Sequence, residues 1–211
     1  METQEIIQNA YIDYVLTHGK KPASVYVFAK DNGMAEEEFY KYYASFDGIE
    51  ADVWKEFFNK TISQIKLQEI WPTYSAREKA LSFFYSFFEL LKSKRSFVDY
   101  SIKHLPKGIS TPENLKQAKQ AFENFSAELI KDGIETQELA DRKFLSDKYK
   151  DALWIQLMFV LKFWQKDNSA GFEKTDEAIE KGVNVTFDLF QRTPLDNIFD
   201  YGKFLAKNAF K

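Results

Sequence analysis

A short segment around residue 33 constrains the fold of this 211-residue chain more than any other part of its sequence. Residues 19–49 predict two short helices separated by a tight turn at Gly33, where glycine can adopt the positive φ that such a turn requires. Ala29 lies four residues before the turn and lets the two backbones approach each other. On the second helix, Phe39 and Tyr42 lie three residues apart and are expected to pack against the first helix. The spacing predicts a helix-turn-helix, a motif whose second helix enters the major groove in DNA-binding proteins.

The rest of the chain is predicted to be helical as well. The whole sequence contains only 5 Pro and 8 Gly, which is too few for the many turns of a β-rich fold. Hydrophobic residues make up 45% of the sequence, enough for a substantial core, and 21 of them are Phe. Helical periodicity and helix start and stop signals indicate about nine or ten helices and no convincing strand. The predicted fold class is therefore all-α.

Local signals place the helices of the N-terminal half. Residues 3–18 predict an amphipathic helix, and a long helix is predicted from about residue 48 toward residue 70, where Pro72 stops it. The Ser75–Glu78 pair is a capping box and starts the next helix. Because residues 81–91 are almost all apolar, this helix is expected to be buried on nearly all sides.

The same signals continue through the C-terminal half. Residues 96–105 predict a further helix, and Thr-Pro at the start of residues 111–133 opens the following one. Two long segments, 137–166 and 172–191, are predicted next, and Thr193 opens the last helix. No repeat, low-complexity tract or flexible linker interrupts this series.

Several function classes are excluded or disfavoured by residue types alone. The sequence has no cysteine, which excludes disulfides, thiolate catalysis and zinc–thiolate sites. His18 and His104 lie far apart and have no carboxylate at metal-ligand spacing. A Gly-rich phosphate loop and a nucleophile elbow are also missing from the sequence. We therefore expect neither an enzyme nor a bound cofactor or metal.

Charge and hydropathy indicate the environment of the chain. The net charge is −3, so no overall field attracts it to nucleic acid or to an anionic membrane. The first residues are acidic and lack the apolar region of a signal peptide. The longest apolar runs, 81–91 and 152–164, are too short to span a bilayer. A cytoplasmic protein without a membrane span is expected.

The N-terminal segment resembles the TetR family of one-component bacterial regulators. The family pattern has a glycine after the first helix, a hydroxyl residue opening the second, a glycine turn, two aromatic pairs and a serine before the fourth helix. The matching positions are Gly19, Ser24, Phe28-Ala29, Asn32-Gly33-Met34-Ala35, Phe39-Tyr40, Tyr42-Tyr43 and Ser45-Phe46-Asp47. The resemblance implies a three-helix head at residues 1–48 and a larger ligand-binding and dimerisation domain at residues 49–211. It also implies a homodimer that pairs through its last two long helices.

Positions at which the family contacts DNA hold other residue types here. Ala35 replaces the serine that caps the recognition helix, and Phe46 replaces a lysine that usually meets a DNA phosphate. Residues 1–48 contain four basic and eight acidic residues, a net charge of −4, although phosphate contacts supply most of the affinity of such complexes. DNA binding is therefore expected to be weakened or lost. The positions that the resemblance implies for the DNA surface are Ser24, Glu36, Glu37, Tyr40, Lys41 and Tyr42.

The carboxylates of Glu36, Glu37 and Glu38 have three possible roles. Acidic residues in the first turn of a helix interact favourably with its macrodipole, by about 0.3–1 kcal/mol each. A glutamate can also accept a hydrogen bond from cytosine in the major groove. The third possibility is a contact with another protein.

A second resemblance occurs near the C-terminus. Trp164, Asp167, Ser169 and Phe172 are similar to a segment of the TetR-fold accessory proteins of ubiquinone biosynthesis. Those proteins hold lipid in a helical pocket and have no DNA role. The alternative is purely structural, with Asp167 or Ser169 capping a helix and Trp164 in the core.

The Phe-rich centre is the candidate ligand site. Aromatic side chains with few polar neighbours suit an apolar small molecule or lipid, although they also suit a filled core. The candidate residues lie on helices that form the pocket in TetR proteins: Phe84, Phe87, Phe88, Trp154, Phe159 and Trp164. The primary hypothesis is a TetR-like regulator that binds an apolar small molecule and binds DNA weakly. The alternatives are a lipid-binding accessory protein and a dimeric interaction module with a filled core.

Overall fold

The structure is a computed structural model that describes residues 3–103, 111–142 and 146–191. This part of the chain is all-helical and contains no strand, as predicted. Its nine α-helices are α1 (Thr3–His18), α2 (Val25–Asp31), α3 (Glu36–Tyr40), α4 (Phe46–Lys66), α5 (Ala76–Lys92), α6 (Arg95–Lys103), α7 (Lys116–Glu135), α8 (Tyr149–Lys166) and α9 (Glu173–Phe190). Short 3₁₀ turns cover Trp71–Thr73, Glu113–Leu115 and Ala170–Phe172. The helix predicted from Thr193 lies outside the described residues.

The start of α5 was predicted correctly, and the end of α4 was not. The Ser75–Glu78 capping box is confirmed, because the Ser75 amide donates to the Glu78 carboxylate at 2.8 Å and the Glu78 amide donates to Ser75 Oγ at 3.2 Å. The predicted end of α4 near residue 70 is wrong. The helix ends at Lys66 because its buried stripe ends at Ile65, and Leu67 is already 83% exposed. A helix gains little from continuing once it has no apolar face to bury.

The chain divides into two compact units, the first formed by residues 1–71 and 82–125. Its core is aromatic. The Phe83 ring is 5.1 Å from the rings of both Phe122 and Phe125, and the Phe58 ring is 4.4 Å from that of Phe87. These rings are buried, as predicted for α5, whereas Tyr85 on the same helix reaches solvent. Helix α5 is thus exposed along one face and not buried on all sides.

The second unit consists of residues 72–81 and 126–211. Helices α8 and α9 form an antiparallel hairpin in which the Tyr149 and Phe190 rings stack at 4.0 Å at one end. At the other end the Trp164 and Phe172 rings lie 5.7 Å apart. The predicted division between residues 48 and 49 is a functional boundary that these units do not test, and it stays a prediction.

Within the described ranges, no helix is both long and apolar enough to cross a membrane.

Candidate functional site

The turn between α2 and α3 has the predicted geometry. Gly33 has a φ of 67°, and Ala29 is 1% exposed where the two helices approach. The Met34 amide donates to the Ala29 carbonyl at 3.0 Å, and the Asn32 side-chain amide donates to the Phe28 carbonyl at 2.8 Å. These bonds satisfy the carbonyls left free at the end of α2. Residues 24–40 therefore form a helix-turn-helix.

The packing predicted for Tyr42 is wrong, because α3 ends at Tyr40 and Tyr42 is 41% exposed. Tyr43 is buried in its place. Its hydroxyl donates to the Asp52 carboxylate at 2.9 Å and accepts from the Gln8 amide at 2.9 Å. Burial raises the pKa of Tyr43 to about 12, and the neighbouring Asp52 acts in the same direction. Tyr43 thus ties the end of the helix-turn-helix to α1 and α4.

The predicted DNA-contact residues occupy the exposed side of α2 and α3. Ser24 is exposed and caps α2, since its Oγ accepts from the Val27 amide at 3.2 Å. Glu36, Glu37, Tyr40 and Tyr42 are also exposed. The remaining candidate, Lys41, forms an ion pair with Glu38 at 2.6 Å. The lysine that directly follows α3 is thus already paired with a carboxylate of that helix.

The start of α3 lacks a side-chain cap. Ala35 has the extended backbone of an N-cap residue but offers no oxygen to the free amides of the first turn. Glu36, Glu37 and Glu38 follow directly, and their charges are favourable at the positive end of the helix dipole. This structural role is sufficient to account for three consecutive carboxylates. The start of α3 therefore carries concentrated negative charge.

Phe46, at the position of the family's phosphate-contacting lysine, packs inward. Its ring lies 5.4 Å from that of Tyr11, 5.5 Å from that of Phe28 and 5.6 Å from that of Phe39. These three rings belong to α1, α2 and α3, so Phe46 joins all three helices of the head to the start of α4. Edge-to-face and offset aromatic pairs of this kind stabilise a core beyond the area they bury. The aromatic residues Tyr11, Phe28 and Phe39 in the sequence could have indicated that Phe46 packs among them.

Sequence reasoning missed a buried carboxylate, Glu50 of α4. It is 2% exposed and accepts a hydrogen bond from the Tyr11 hydroxyl at 2.6 Å. The Lys21 ammonium lies 3.5 Å away and Asn114 donates to it at 3.5 Å. Burial and the hydrogen bond to Glu50 raise the pKa of Tyr11. A buried charge needs such partners, and they come from residues 39, 29 and 64 positions away in the sequence.

The six predicted ligand residues are distributed between the two units. Phe84, Phe87 and Phe88 are buried in the first unit. Trp154 and Trp164 are buried in the second unit, whereas Phe159 is 59% exposed on α8. A pocket shared by all six residues, which belong to different units, stays a prediction.

A cleft in the second unit is lined by other residues. Its volume is about 340 Å³, and it lies between the C-terminal half of α7 and the start of α8. None of the six predicted residues lines it. The lining residues are Ala127, Ile130, Lys131, Ile134, Glu135, Ser146, Asp147 and Lys150.

Helices α8 and α9 both expose apolar side chains. Ile155, Phe159 and Phe163 recur every four residues and form one row on α8. Val185 and Leu189 form a second row on α9, and both are more than half exposed. Large exposed apolar side chains arranged in rows are typical of a protein–protein interface.

The turn between α8 and α9 supports the structural interpretation of its motif. The Asp167 carboxylate accepts from the amide and hydroxyl of Thr175, at 2.9 and 2.7 Å, and from those of Ser169, at 2.8 and 2.6 Å. Burial opposes the charged form, but these four donors outweigh it and hold the pKa of Asp167 at about 2. Trp164 is fully buried. Asp167 therefore caps the turn, and Trp164 belongs to the core.

Comparisons with known proteins agree on one family. A family model described as tetracyclin repressor-like, C-terminal domain, matches residues 79–205. No curated protein matches the sequence. Among solved structures, a protein assigned to the TetR family of transcription regulators from Shewanella sp. PV-4 is 13% identical, with a TM-score of 0.62 over 92% of this chain and 100% of that one.

Two further structures are similar over most of their length. The fatty acid degradation regulator FadR from Bacillus halodurans is 16% identical, with a TM-score of 0.59 over 89% of this chain and 95% of that one. A transcriptional regulator from Cytophaga hutchinsonii is 18% identical, with a TM-score of 0.57 over 89% and 98% of the two chains. Identities this low support the fold alone. The comparisons do not favour the accessory-protein alternative.

Proposed function

The chain belongs to the TetR family of transcriptional regulators, and on that premise we propose that it acts as a homodimer that binds an apolar small molecule and binds duplex DNA only weakly. Members of this family regulate transcription and are not enzymes. The observation that carries the proposal is the acidic face at the start of α3. Glu36 and Glu37 are exposed at the positions where the family reads bases.

Electrostatics at the head support weak DNA binding. Duplex DNA attracts proteins mainly through its phosphates, and each neutralised phosphate adds affinity that falls with salt. Glu36 and Glu37 oppose this attraction, while the ion pair with Glu38 occupies Lys41. Phe46 provides no cation at the position where the family has a phosphate-contacting lysine. Its ring packs among the head helices instead. The head thus keeps the motif, but its net charge of −4 opposes binding to a polyanion.

Charge reversal tests this part of the proposal. We expect the wild-type protein to bind a duplex taken from the DNA preceding its own gene weakly at low salt, as measured by fluorescence anisotropy. The Glu36→Lys/Glu37→Lys variant is expected to bind at least about tenfold more tightly, with a steeper decrease as salt rises, because two cations now face the phosphates.

The control reverses the same number of charges elsewhere. Glu69 and Glu89 are exposed residues of the first unit outside the helix-turn-helix. The Glu69→Lys/Glu89→Lys variant is therefore expected to bind DNA much less tightly than the α3 variant. Tight, sequence-specific binding by the wild-type protein, with steep salt dependence, would show that DNA binding is intact.

The apolar rows of α8 and α9 support the homodimer. These are the last two long helices of the described chain, the elements expected to pair across a two-fold axis. An isologous interface buries the same patch on both copies, so every exposed apolar side chain in it counts twice. Phe159 and Leu189, each more than half exposed, are the side chains that gain most from being covered.

The family's helical ligand domain supports an apolar small molecule as the regulator of this protein. The aromatic residues predicted for a pocket are buried, except for Phe159. One structural neighbour, the Bacillus halodurans FadR, is a regulator of fatty acid degradation by its own description. At 16% identity that neighbour suggests a ligand class to test.

A further inference from the structure

The cleft beside α7 has an apolar floor. Ala127, Ile130 and Ile134 lie at positions i, i+3 and i+7, which places them on one face of the helix. Ile130 is buried and Ile134 is half-buried. The opposite wall is formed by Ser146, Asp147 and Lys150 at the start of α8. The cleft can therefore hold the apolar body of a small molecule against two isoleucine side chains.

The charged residues around the cleft are not equivalent. Lys131 and Glu135 lie on the same helix, with their charged atoms 3.8 Å apart, and both are well exposed, so they largely compensate each other. Asp147 is exposed, where solvent screens its charge. Lys150 is half-buried and has no ion pair among the described residues. An ammonium without an ion pair, beside an apolar floor, favours a carboxylate partner more than a lysine that is already paired does.

We propose that this cleft binds a small aliphatic molecule with a single carboxylate. The carboxylate pairs with Lys150 Nζ, and the aliphatic body covers Ile130 and Ile134. This inference rests on the proposed function, because it assigns a site and a chemical class to the small molecule of that proposal. A volume of about 340 Å³ is at the small end of the usual range for ligand sites, which favours a short aliphatic acid.

Octanoate is a suitable probe because it has the proposed chemistry and can be titrated calorimetrically into the full-length protein. We expect saturable octanoate binding by the wild-type protein. The Lys150→Met variant, which keeps the aliphatic stem and removes the charge, is expected to bind at least about tenfold more weakly, since a charge-assisted hydrogen bond is lost. Octylamine, with the opposite charge on the same tail, is expected to bind at least about tenfold more weakly than octanoate.

Lys148→Met is the matched control. Lys148 lies on the same turn, is 72% exposed at its side chain, pairs with Asp151 at 3.2 Å and does not line the cleft. Octanoate affinity should be unchanged in this variant. A second variant, Ala127→Trp, places a large side chain at the exposed rim of the cleft and is expected to abolish binding while thermal unfolding stays cooperative.

Three results would overturn the inference: no saturable octanoate binding by the wild-type protein, equal affinity of Lys150→Met and wild type, or equal affinity for octanoate and octylamine. The DNA and dimer measurements use no octanoate. Failure of this inference therefore leaves those results standing, and failure of the proposed function is seen in them separately.

Discussion

The head and the α8–α9 hairpin both expose large side chains, but the surroundings of those side chains differ. On the head, the exposed Tyr40 and Tyr42 carry hydroxyl groups, and Glu36 and Glu37 are exposed as well. The Tyr40 hydroxyl is directed toward Glu36 at 3.4 Å. On the hairpin, Ile155 and Phe159 lie in a row without a polar group of their own. The exposed face of the head can remain hydrated, whereas covering the apolar rows of the hairpin lowers the free energy of the protein.

The two sets of exposed side chains therefore differ in how they interact with water. Exposed aromatic residues mixed with charge are compatible with water. Rows of aliphatic and Phe side chains on neighbouring helices favour association or aggregation when they are exposed in a monomer. The described chain therefore presents one exposed face that is compatible with water and another whose apolar rows are typical of an interface.

The largest expected effect comes from placing a head-like charge on the hairpin. Phe159→Glu introduces a carboxylate into the proposed dimer interface, and two-fold symmetry introduces it twice. Burying an unpaired carboxylate is strongly unfavourable, so the dimer dissociation constant should rise by about 100-fold or more. Sedimentation equilibrium of the wild-type and variant proteins measures this change.

Leu67→Glu is the matched control for that experiment, because Leu67 is also an exposed apolar residue but lies just after α4. This variant should dimerise as the wild-type protein does. A wild-type protein that stays monomeric at high concentration, or a dimer insensitive to Phe159→Glu, would place the interface elsewhere or remove it.

The next largest effect is expected at the hairpin turn, which Asp167 caps. The start of α3 in the head, by contrast, has no side-chain cap. Asp167 has a pKa of about 2, below its ordinary value of 3.8. The folded state therefore favours the charged form, and this stabilises the protein fully above about pH 4 and progressively less as the pH falls toward 2. Asp167→Asn should lower the free energy of unfolding by about 2 kcal/mol at neutral pH. Urea unfolding between pH 7 and pH 3 measures the difference.

The two proteins should become more similar in stability as the pH falls, because protonated Asp167 also loses its charge. The exposed Asp13 of α1 provides the control, and Asp13→Asn should have little effect at any pH. A difference between Asp167→Asn and wild type that is small at pH 7, or that grows toward pH 3, would contradict the capping role.

The smallest effect is expected from a substitution that gives α3 of the head a side-chain cap. Ala35 already has the extended conformation of an N-cap, so Ala35→Ser supplies an oxygen for the free amides of α3 without changing the backbone. We expect the free energy of unfolding to rise by about 0.5–1 kcal/mol. Thermal and urea unfolding measure this gain.

Ser24→Ala is the reciprocal experiment in the same motif, since Ser24 caps α2 through the Val27 amide. It should lower the free energy of unfolding by about the amount that Ala35→Ser raises it. If Ala35→Ser is neutral or destabilising, the Glu36–Glu38 carboxylates already satisfy the start of α3.

The sequence alone was sufficient for the features that depend on a few neighbouring residues. The all-α class, the turn at Gly33 and the Ser75–Glu78 capping box were all predicted correctly. These features depend on backbone conformation and on hydrogen bonds between residues three or four positions apart. Such interactions form in the same way whatever the rest of the chain does.

Only the tertiary structure decided which side chains are buried and what they meet. It placed Tyr43 in the core where Tyr42 was expected, and it packed Phe46 among the head helices. It also buried Glu50 against Tyr11, 39 residues away, and left Phe159 exposed. Burial and charge pairing depend on groups that are distant in the sequence and are brought together only by packing. Periodicity identifies an apolar face, but the neighbour that covers that face is set by the fold as a whole.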